Sequence, residues 1–172
     1  MSERVRVVVT GMGAITPIGL TVRETWENAL AGKSGIALIE HLDTTDWPVR
    51  IAGAVKNFDP ERYIPRKEAR RMARCSQFAV AAAQEALADA QLSPPLPEPE
   101  RVGTVIGVGM GGVEVALEHT AKLRRQGPVG VNPFALAASL PNMPSYHVSL
   151  LAGAQGPIST PVALARSSMS AA

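Results

Sequence analysis

This chain of 172 residues has few histidines and cysteines, the side chains that most often bind metals or act as nucleophile and base: it contains three histidines and one cysteine. His41, His119 and His147 have no second histidine or cysteine at metal-ligand spacing, so the sequence predicts no metal site. We expect His41 in a loop, His119 on a helix surface and His147 packed within a helix. Cys75 falls inside a predicted helix, away from the start that would favour a thiolate, and is interpreted as a small core or surface residue.

A glycine-rich stretch at residues 101–112, RVGTVIGVGMGG, raises the question of phosphate binding. Residues 107–112 fit the pattern G-x-G-x-x-G between a predicted strand and a predicted helix. The dinucleotide fingerprint also needs an acidic residue about 20 positions later, and this chain has none around position 130. A nucleotide-binding α/β domain therefore stays open as an alternative function, which titration with a dinucleotide would test.

A cluster of basic residues offers another kind of chemistry, the binding of an acidic partner. Lys67, Arg70, Arg71 and Arg74 are spaced i, i+3, i+4 and i+7, which would place four positive charges on one helix face. A solvated face and a docking patch are both open from the charges alone. The net charge of +2 is too small to indicate nucleic-acid binding.

Composition limits the class of protein that can hold these residues. A hydrophobic content of 46% and a charged content of 19% are typical of one globular domain, or of a fragment of a larger one. No apolar run approaches the roughly 20 residues that cross a bilayer, and the N-terminus begins as a strand and not as a signal peptide. The single cysteine excludes an internal disulfide framework, so we expect a cytoplasmic protein. The lack of a long apolar run predicts no membrane partner.

Hydrophobic patterns predict an α/β chain. Two apolar runs rich in β-branched residues, at 5–10 and 102–108, are typical of strands buried on both faces of a sheet. Thr21 and Glu24 form a capping box that begins a short helix, and Gly32 ends it. The order of strand, glycine loop and helix is typical of proteins that place a pocket at the carboxyl ends of their strands.

One long helix is predicted over residues 65–92, because that stretch has no internal proline or glycine. Its many alanines would let other backbone segments approach closely. The remaining predicted elements are a strand at 50–55, surface loops at 41–48 and 92–99, helices at 113–125, 133–140 and 142–151, and an edge-type strand at 158–163.

Five segments, taken in order, resemble the N-terminal half of a β-ketoacyl-acyl carrier protein synthase, the type II condensing enzyme of fatty-acid and polyketide synthesis. They are VVTGMGAITPIG at 8–19, RKEARRM at 66–72, GMGG at 109–112, NM at 142–143 and GPIST at 156–160. The resemblance implies a thiolase-like α/β fold, of which this chain supplies the N-terminal half, with a mixed sheet flanked by helices. We expect residues 1–163 to be the incomplete synthase N-terminal domain and residues 164–172 to be a divergent tail.

The resemblance also implies a reaction, a partner and roles for particular residues. The family performs a decarboxylative Claisen condensation of an acyl thioester with malonyl-carrier protein, which makes it an acyltransferase without a bound cofactor. Lys67, Arg70 and Arg71 correspond to its docking site for acidic acyl carrier protein. Met110 and Phe134 correspond to residues that line its acyl pocket. The family is homodimeric, and an edge strand after Gly-Pro is compatible with pairing across that dimer.

The chain departs from the family at the position of the nucleophile. Counting from the Gly-Pro pair, the family cysteine corresponds to Ala165, and alanine cannot form a thioester. Both family histidines would lie beyond residue 172, so we expect no catalytic residue and no condensing activity in this chain alone. A frameshifted or prematurely ended reading frame would explain the abrupt loss of pattern. A non-catalytic subunit similar to a chain-length factor is the alternative, because it keeps the fold without the cysteine.

Overall fold

The computed structural model describes residues 6–40 and 42–163; His41 and Ala165 lie outside the described residues. The chain divides into two compact units. One comprises Met1–Phe58 with Ala82–Leu92, and the other comprises Asp59–Ala81 with Ser93–Ala172. Both helices and small sheets are present, as the prediction of an α/β chain requires.

Six α-helices and four short strands make up the described regular structure, together with three 3-10 turns at Pro60–Arg62, Pro99–Arg101 and Pro128–Gly130. The α-helices are α1 Val22–Leu30, α2 Arg66–Ala69, α3 Arg74–Asp89, α4 Val113–Gln126, α5 Ala135–Ser139 and α6 Met143–Ala152. The strands are β1 Ile36–Leu38, β2 Ile51–Gly53, β3 Thr104–Val105 and β4 Ile158–Ser159. No described helix is long and apolar enough to span a bilayer.

The two strand pairs differ in direction. In the first unit β1 pairs with β2 in antiparallel register, with Ala37 opposite Ala52. In the second unit β3 pairs with β4 in parallel register, with Thr104 opposite Ile158. The predicted strands at 50–55 and 158–163 are therefore confirmed, although each regular core is shorter than predicted.

Two other strand predictions are corrected. Residues 6–10 form no strand, and Val7 is 93% exposed, although the apolar run predicted a strand buried on both faces. A strand needs partners for its backbone amides and carbonyls, and no described segment pairs with these residues. In the run 102–108, Thr104 and Val108 are buried but Val105 is 49% exposed, so the described residues cover one face of this strand and not both.

The loop after residue 10 lies directly on helix α3 in the first unit. A Cβ added to Gly13 would lie 1.8 Å from the carbonyl oxygen of Ala82, and one added to Gly11 would lie 2.2 Å from that of Ala86. Only glycine fits at such a distance. The close approach that the alanine-rich helix predicts is confirmed here.

Helix α1 begins with the predicted capping box. The Glu24 amide donates to the Thr21 hydroxyl at 3.1 Å, and the Glu24 carboxylate accepts from the Leu20 amide at 2.8 Å. The Thr21 hydroxyl therefore satisfies an amide that the first helical turn leaves without a partner, and the Glu24 carboxylate holds the residue just before the N-cap. Gly32 follows the helix with a φ of 66°, in the left-handed region.

The single helix predicted over 65–92 is wrong: it is two helices, α2 and α3, separated at residues 70–73. Tertiary packing supplies the reason, since no proline or glycine interrupts the sequence there. Met72 and Ala73 are buried in the second unit. At the break the Ala69 carbonyl accepts from the Met72 amide at 3.1 Å and from the Gln77 side chain of α3 at 2.9 Å. The helices predicted at 113–125, 133–140 and 142–151 are confirmed as α4, α5 and α6.

Candidate functional site

An open cleft of about 1230 Å³ lies in the second unit, between α2, α4 and the segment 128–135. The break between α2 and α3 shapes its first wall, because it turns Arg70 and Arg71 toward the same space as α2. Helix α4 supplies the second wall with Glu118, His119 and Lys122.

The first wall of the cleft carries four exposed cations, Arg66, Lys67, Arg70 and Arg71. Arg66 forms an ion pair with Glu61 at 3.3 Å, and both side chains are largely exposed. No ion pair joins Lys67, Arg70 or Arg71 to a carboxylate within 6–40 and 42–163. This surface therefore attracts anions, and its three unpaired cations are available to an acidic partner.

The predicted face of four cations is corrected by the helix break. Lys67, Arg70 and Arg71 lie together at the cleft, as the sequence predicted. Arg74 begins α3 instead, is not part of the cleft wall, and places its Cζ 4.8 Å from the Phe78 ring centroid. The i, i+7 relation fails because it requires one continuous helix.

On the α4 side, charge is largely balanced. Lys122 binds Glu118 at 2.6 Å, an ion pair at i, i+4 spacing on α4. The hydrogen bond from Lys122, and then its charge, hold the pKa of Glu118 below the ordinary value. Among the cleft's lining residues Glu118 is the sole acid, so the cleft as a whole remains cationic.

The side chains of His119 and Asn132 hold the segment 128–135 that forms the remaining wall of the cleft. His119, half-buried and not simply on the helix surface, accepts a hydrogen bond at Nδ1 from the Asn132 amide at 3.2 Å. Asn132 in turn accepts from the Phe134 amide at 2.9 Å. Sequence patterns did not indicate Arg66, His119 or Asn132 as cleft residues. For Arg66 the available signal was its position beside Lys67, in the same matching segment 66–72.

The two residues predicted to line an acyl pocket lie in different places. Phe134 lines the cleft and is 42% exposed, with the Arg71 guanidinium carbon 4.1 Å from its ring centroid. Met110 is 58% exposed in the glycine loop and is not part of the cleft wall. Their roles in acyl binding stay predictions.

The glycine loop before α4 packs against its own unit. Gly111 has a φ of 64°, and a Cβ there would lie 2.6 Å from Cα of Pro141. A Cβ on Gly112 would lie 2.4 Å from the carbonyl oxygen of Ala138. Protein backbone occupies the space beside these two glycines, so their lack of a Cβ serves packing within the unit.

Cys75 and His147 have environments that favour their neutral forms. Cys75 lies in the first turn of α3, which corrects the prediction that it is remote from a helix start. Burial, and then the charge of Glu114, nevertheless raise the pKa of its thiol. Burial lowers the pKa of His147, which is packed in α6 as predicted, and the charge of Glu68 opposes that effect. No group of three potential metal ligands occurs among the described residues.

Buried hydroxyls tie α6 to the strand after Gly-Pro. The Ser145 hydroxyl is fully buried, donates to the Ser159 carbonyl at 3.1 Å, and lies 2.7 Å from the Thr160 hydroxyl. This contact fixes residues 158–160, just before the stretch that contains Ala165.

Comparison with known proteins gives close sequence relatives. The chain is 46% identical over 157 residues to 3-oxoacyl-(acyl-carrier-protein) synthase 2 of Staphylococcus aureus strain MRSA252, covering 91% of this chain and 38% of that protein. It is 43% identical, over the same shares of both chains, to the protein of that name from Vibrio cholerae. The chain therefore spans well under half the length of the curated relatives it matches.

Solved structures of condensing enzymes share the fold. The ishigamide ketosynthase/chain length factor matches with a TM-score of 0.78 and 26% identity, over 91% of this chain and 39% of that chain. The AntDE:AntF complex of a type II polyketide acyl-carrier protein with its ketosynthase matches with a TM-score of 0.69 and 28% identity, over 89% and 41%. The predicted thiolase-like α/β class is confirmed.

The family model that describes the N-terminal domain of β-ketoacyl synthase matches residues 4–172. The boundary predicted between residues 163 and 164 falls inside this matched range and stays a prediction. Because the model covers nearly all of the sequence and agrees with both sets of relatives, the chain belongs to the β-ketoacyl synthase family, as a segment of its N-terminal domain.

Proposed function

We propose that this chain supplies the N-terminal part of a 3-oxoacyl-acyl carrier protein synthase of fatty-acid or polyketide synthesis. The whole enzyme would transfer an acyl chain to a cysteine and join it to a malonyl unit, which loses carbon dioxide to form the attacking carbanion. The identity of 46% to 3-oxoacyl-(acyl-carrier-protein) synthase 2 supports this reaction. The single cysteine supports a cytoplasmic location.

The partner that we propose for the cationic cleft is an acidic acyl carrier protein. The three unpaired cations Lys67, Arg70 and Arg71 carry this proposal, since they present charge on one surface without an internal counter-ion among the described residues. A ketosynthase of similar fold has been solved with its acyl-carrier protein. Charge complementarity of this kind raises the association rate and selects the partner.

A charge-reversal experiment tests the docking surface. Arg70→Glu with Arg71→Glu should weaken binding of acyl carrier protein about tenfold or more at low salt, because two attractions become repulsions. The matched control is Arg124→Glu with Arg125→Glu, an equal charge change at exposed positions of α4 outside the cleft wall. Adding Lys67→Glu should weaken binding further, and high salt should reduce every difference. Equal affinity of the two double variants by titration calorimetry would refute the docking site.

Position 165 is the place that we propose for the family nucleophile. Its occupant here is Ala165, so this chain should not form an acyl-enzyme. Incubation with an acylated carrier protein, followed by mass spectrometry of the intact chain, should therefore show no added acyl mass. An acyl adduct, mapped by digestion to any residue of the chain, would contradict this expectation.

A second candidate function is a non-catalytic subunit similar to a chain-length factor. Ala165 favours it, and so does the similarity to the ishigamide ketosynthase/chain length factor. Such a subunit would act by pairing with an active ketosynthase. Changed product length when this chain is added to a catalytic partner would favour the subunit, and unchanged products would favour the enzyme segment. Homodimeric assembly through the strand that contains β4 is the corresponding proposal for the enzyme.

A further inference from the structure

Arg71 differs from its cationic neighbours by having an aromatic partner. Its guanidinium carbon lies 4.1 Å from the Phe134 ring centroid, well within the range of a cation–π interaction. Lys67 and Arg70 have no comparable ring contact in the part of the chain that the structure describes. Arg71 is therefore the member of this cationic surface that a second residue holds in place.

The contact with the ring leaves the donors of Arg71 available. A guanidinium group carries five N–H donors spread over three nitrogens, and a cation–π contact with one ring forms no hydrogen bond with a carboxylate or carbonyl acceptor. Neither a hydrogen bond nor an ion pair with another described residue uses this side chain. Arg71 can therefore donate two hydrogen bonds to one carboxylate, from a side-chain position that the Phe134 ring already restricts.

The backbone that carries the Phe134 ring is connected to helix α4 by hydrogen bonds. The Phe134 amide donates to the Asn132 side chain at 2.9 Å, and the Asn132 amide donates to His119 on α4 at 3.2 Å. The contacts therefore run from α4 through Asn132 and Phe134 to Arg71. All of these residues line one cleft.

We propose that Phe134 is a positioning residue for the acidic partner, because its ring holds Arg71 ready for a partner carboxylate. This inference rests on the proposed function, which supplies an acyl carrier protein as that partner. Arginine loses rotamer freedom when it binds, and a side chain that is already restricted loses less. Phe134 thereby affects partner binding through Arg71 and not through its own contact with the partner's carboxylates.

A double-mutant cycle tests this inference in the full chain. Phe134→Leu removes the ring face while keeping an apolar side chain, and it should weaken carrier-protein binding about two- to fivefold. Phe134→Tyr keeps the ring face and should bind like the unaltered chain. In an Arg71→Gln background Phe134→Leu should have no further effect, whereas in a Lys67→Gln background it should keep its full effect.

A second measurement checks the contact without the partner. The ring should shift the Arg71 Nε–Hε resonance upfield in an NMR spectrum of the unaltered chain, and Phe134→Leu should remove that shift. An absent shift, an unchanged affinity of Phe134→Leu, or an equal loss in the Arg71→Gln background would each overturn the inference. If the unaltered chain does not bind carrier protein, both the proposed function and this inference are refuted. If it binds normally and Phe134→Leu has no effect on the affinity, this inference alone is refuted.

Discussion

Gly13 shows how much of this structure depends on single atoms. The Ala82 carbonyl oxygen of α3 occupies the space in which a Cβ of residue 13 would lie, at 1.8 Å. The glycine-rich segment 8–19 is one of the five that resemble the synthase family. Its glycines at 11 and 13 serve the packing of a loop on a helix, which a motif alone does not reveal.

Gly13→Ala should therefore destabilise the chain by about 1–3 kcal/mol or more, because backbone must move to admit the methyl group. Gly53→Ala is the matched control in the same unit, since its Cβ would approach no atom more closely than Cδ1 of Ile36 at 3.3 Å and Cγ of Pro17 at 3.5 Å. Urea unfolding followed by circular dichroism measures both. Equal stability of the two variants would show that the loop does not lie against α3 as described.

The single thiol of the chain reports on its surroundings through pH. Burial and the charge of Glu114 raise the pKa of Cys75, so the thiolate should appear at higher pH than in free cysteine. The midpoint of the pH–rate profile for iodoacetamide alkylation should therefore lie above that of free cysteine. Glu114→Gln should move the midpoint downward, because it removes a like charge. A midpoint at or below that of free cysteine would contradict the described environment.

At the scale of elements, one carboxylate connects the glycine loop, helix α1 and helix α3. Glu85 of α3 accepts from the Ala14 amide at one oxygen and from the Val22 amide at the other, both at 2.9 Å. One turn later, Asp89 accepts from the Met12 amide at 2.9 Å. Glu85 and Asp89 lie at i and i+4 on α3. One face of this helix therefore holds the glycine loop by side-chain hydrogen bonds, where no described strand pairs with it.

Glu85→Gln should cost about 1 kcal/mol, because the amide side chain can accept at only one of the two places. Glu85→Ala should cost about 2–3 kcal/mol, since it leaves both amides without an acceptor in partly buried positions. Glu40→Gln, which alters an exposed ion pair with Lys56, should change stability very little. Thermal unfolding compares the three, and a loss no larger for Glu85→Ala than for Glu40→Gln would refute the connection.

The whole molecule exposes apolar side chains that a complete synthase fold has the means to cover. Val7 and Val129 are more than nine-tenths exposed, and Trp26 and Leu136 are more than three-fifths exposed. These residues occur in both units. The described residues leave these side chains uncovered, and the chain spans 38% of the length of its curated relatives.

The purified chain should therefore bind the dye ANS strongly and self-associate at micromolar concentration, because exposed apolar patches of this kind drive association. Sedimentation velocity and dye fluorescence measure both properties. Trp26→Lys should reduce both, whereas Arg23→Lys, an exposed change on the same helix, should reduce neither. A monomer without dye binding and with a cooperative melt would contradict this expectation.

Sequence patterns were sufficient to identify the local features and the family. The capping box of α1, the Glu118–Lys122 pair and the helices α4, α5 and α6 depend on residues within a few positions of one another, so a pattern shows them directly. The five matching segments identified the family because they are specific as a set, although each is short.

Features that depend on residues far apart in the chain became visible in the folded structure. The break at 70–73 follows from packing and not from a helix breaker. The Arg71–Phe134 contact joins residues more than sixty positions apart. Residues 6–10 are exposed because no strand of the described part of the chain pairs with them. Burial, pairing and close approach are properties of the neighbours that folding supplies, and a run of residue types does not specify which neighbours those are.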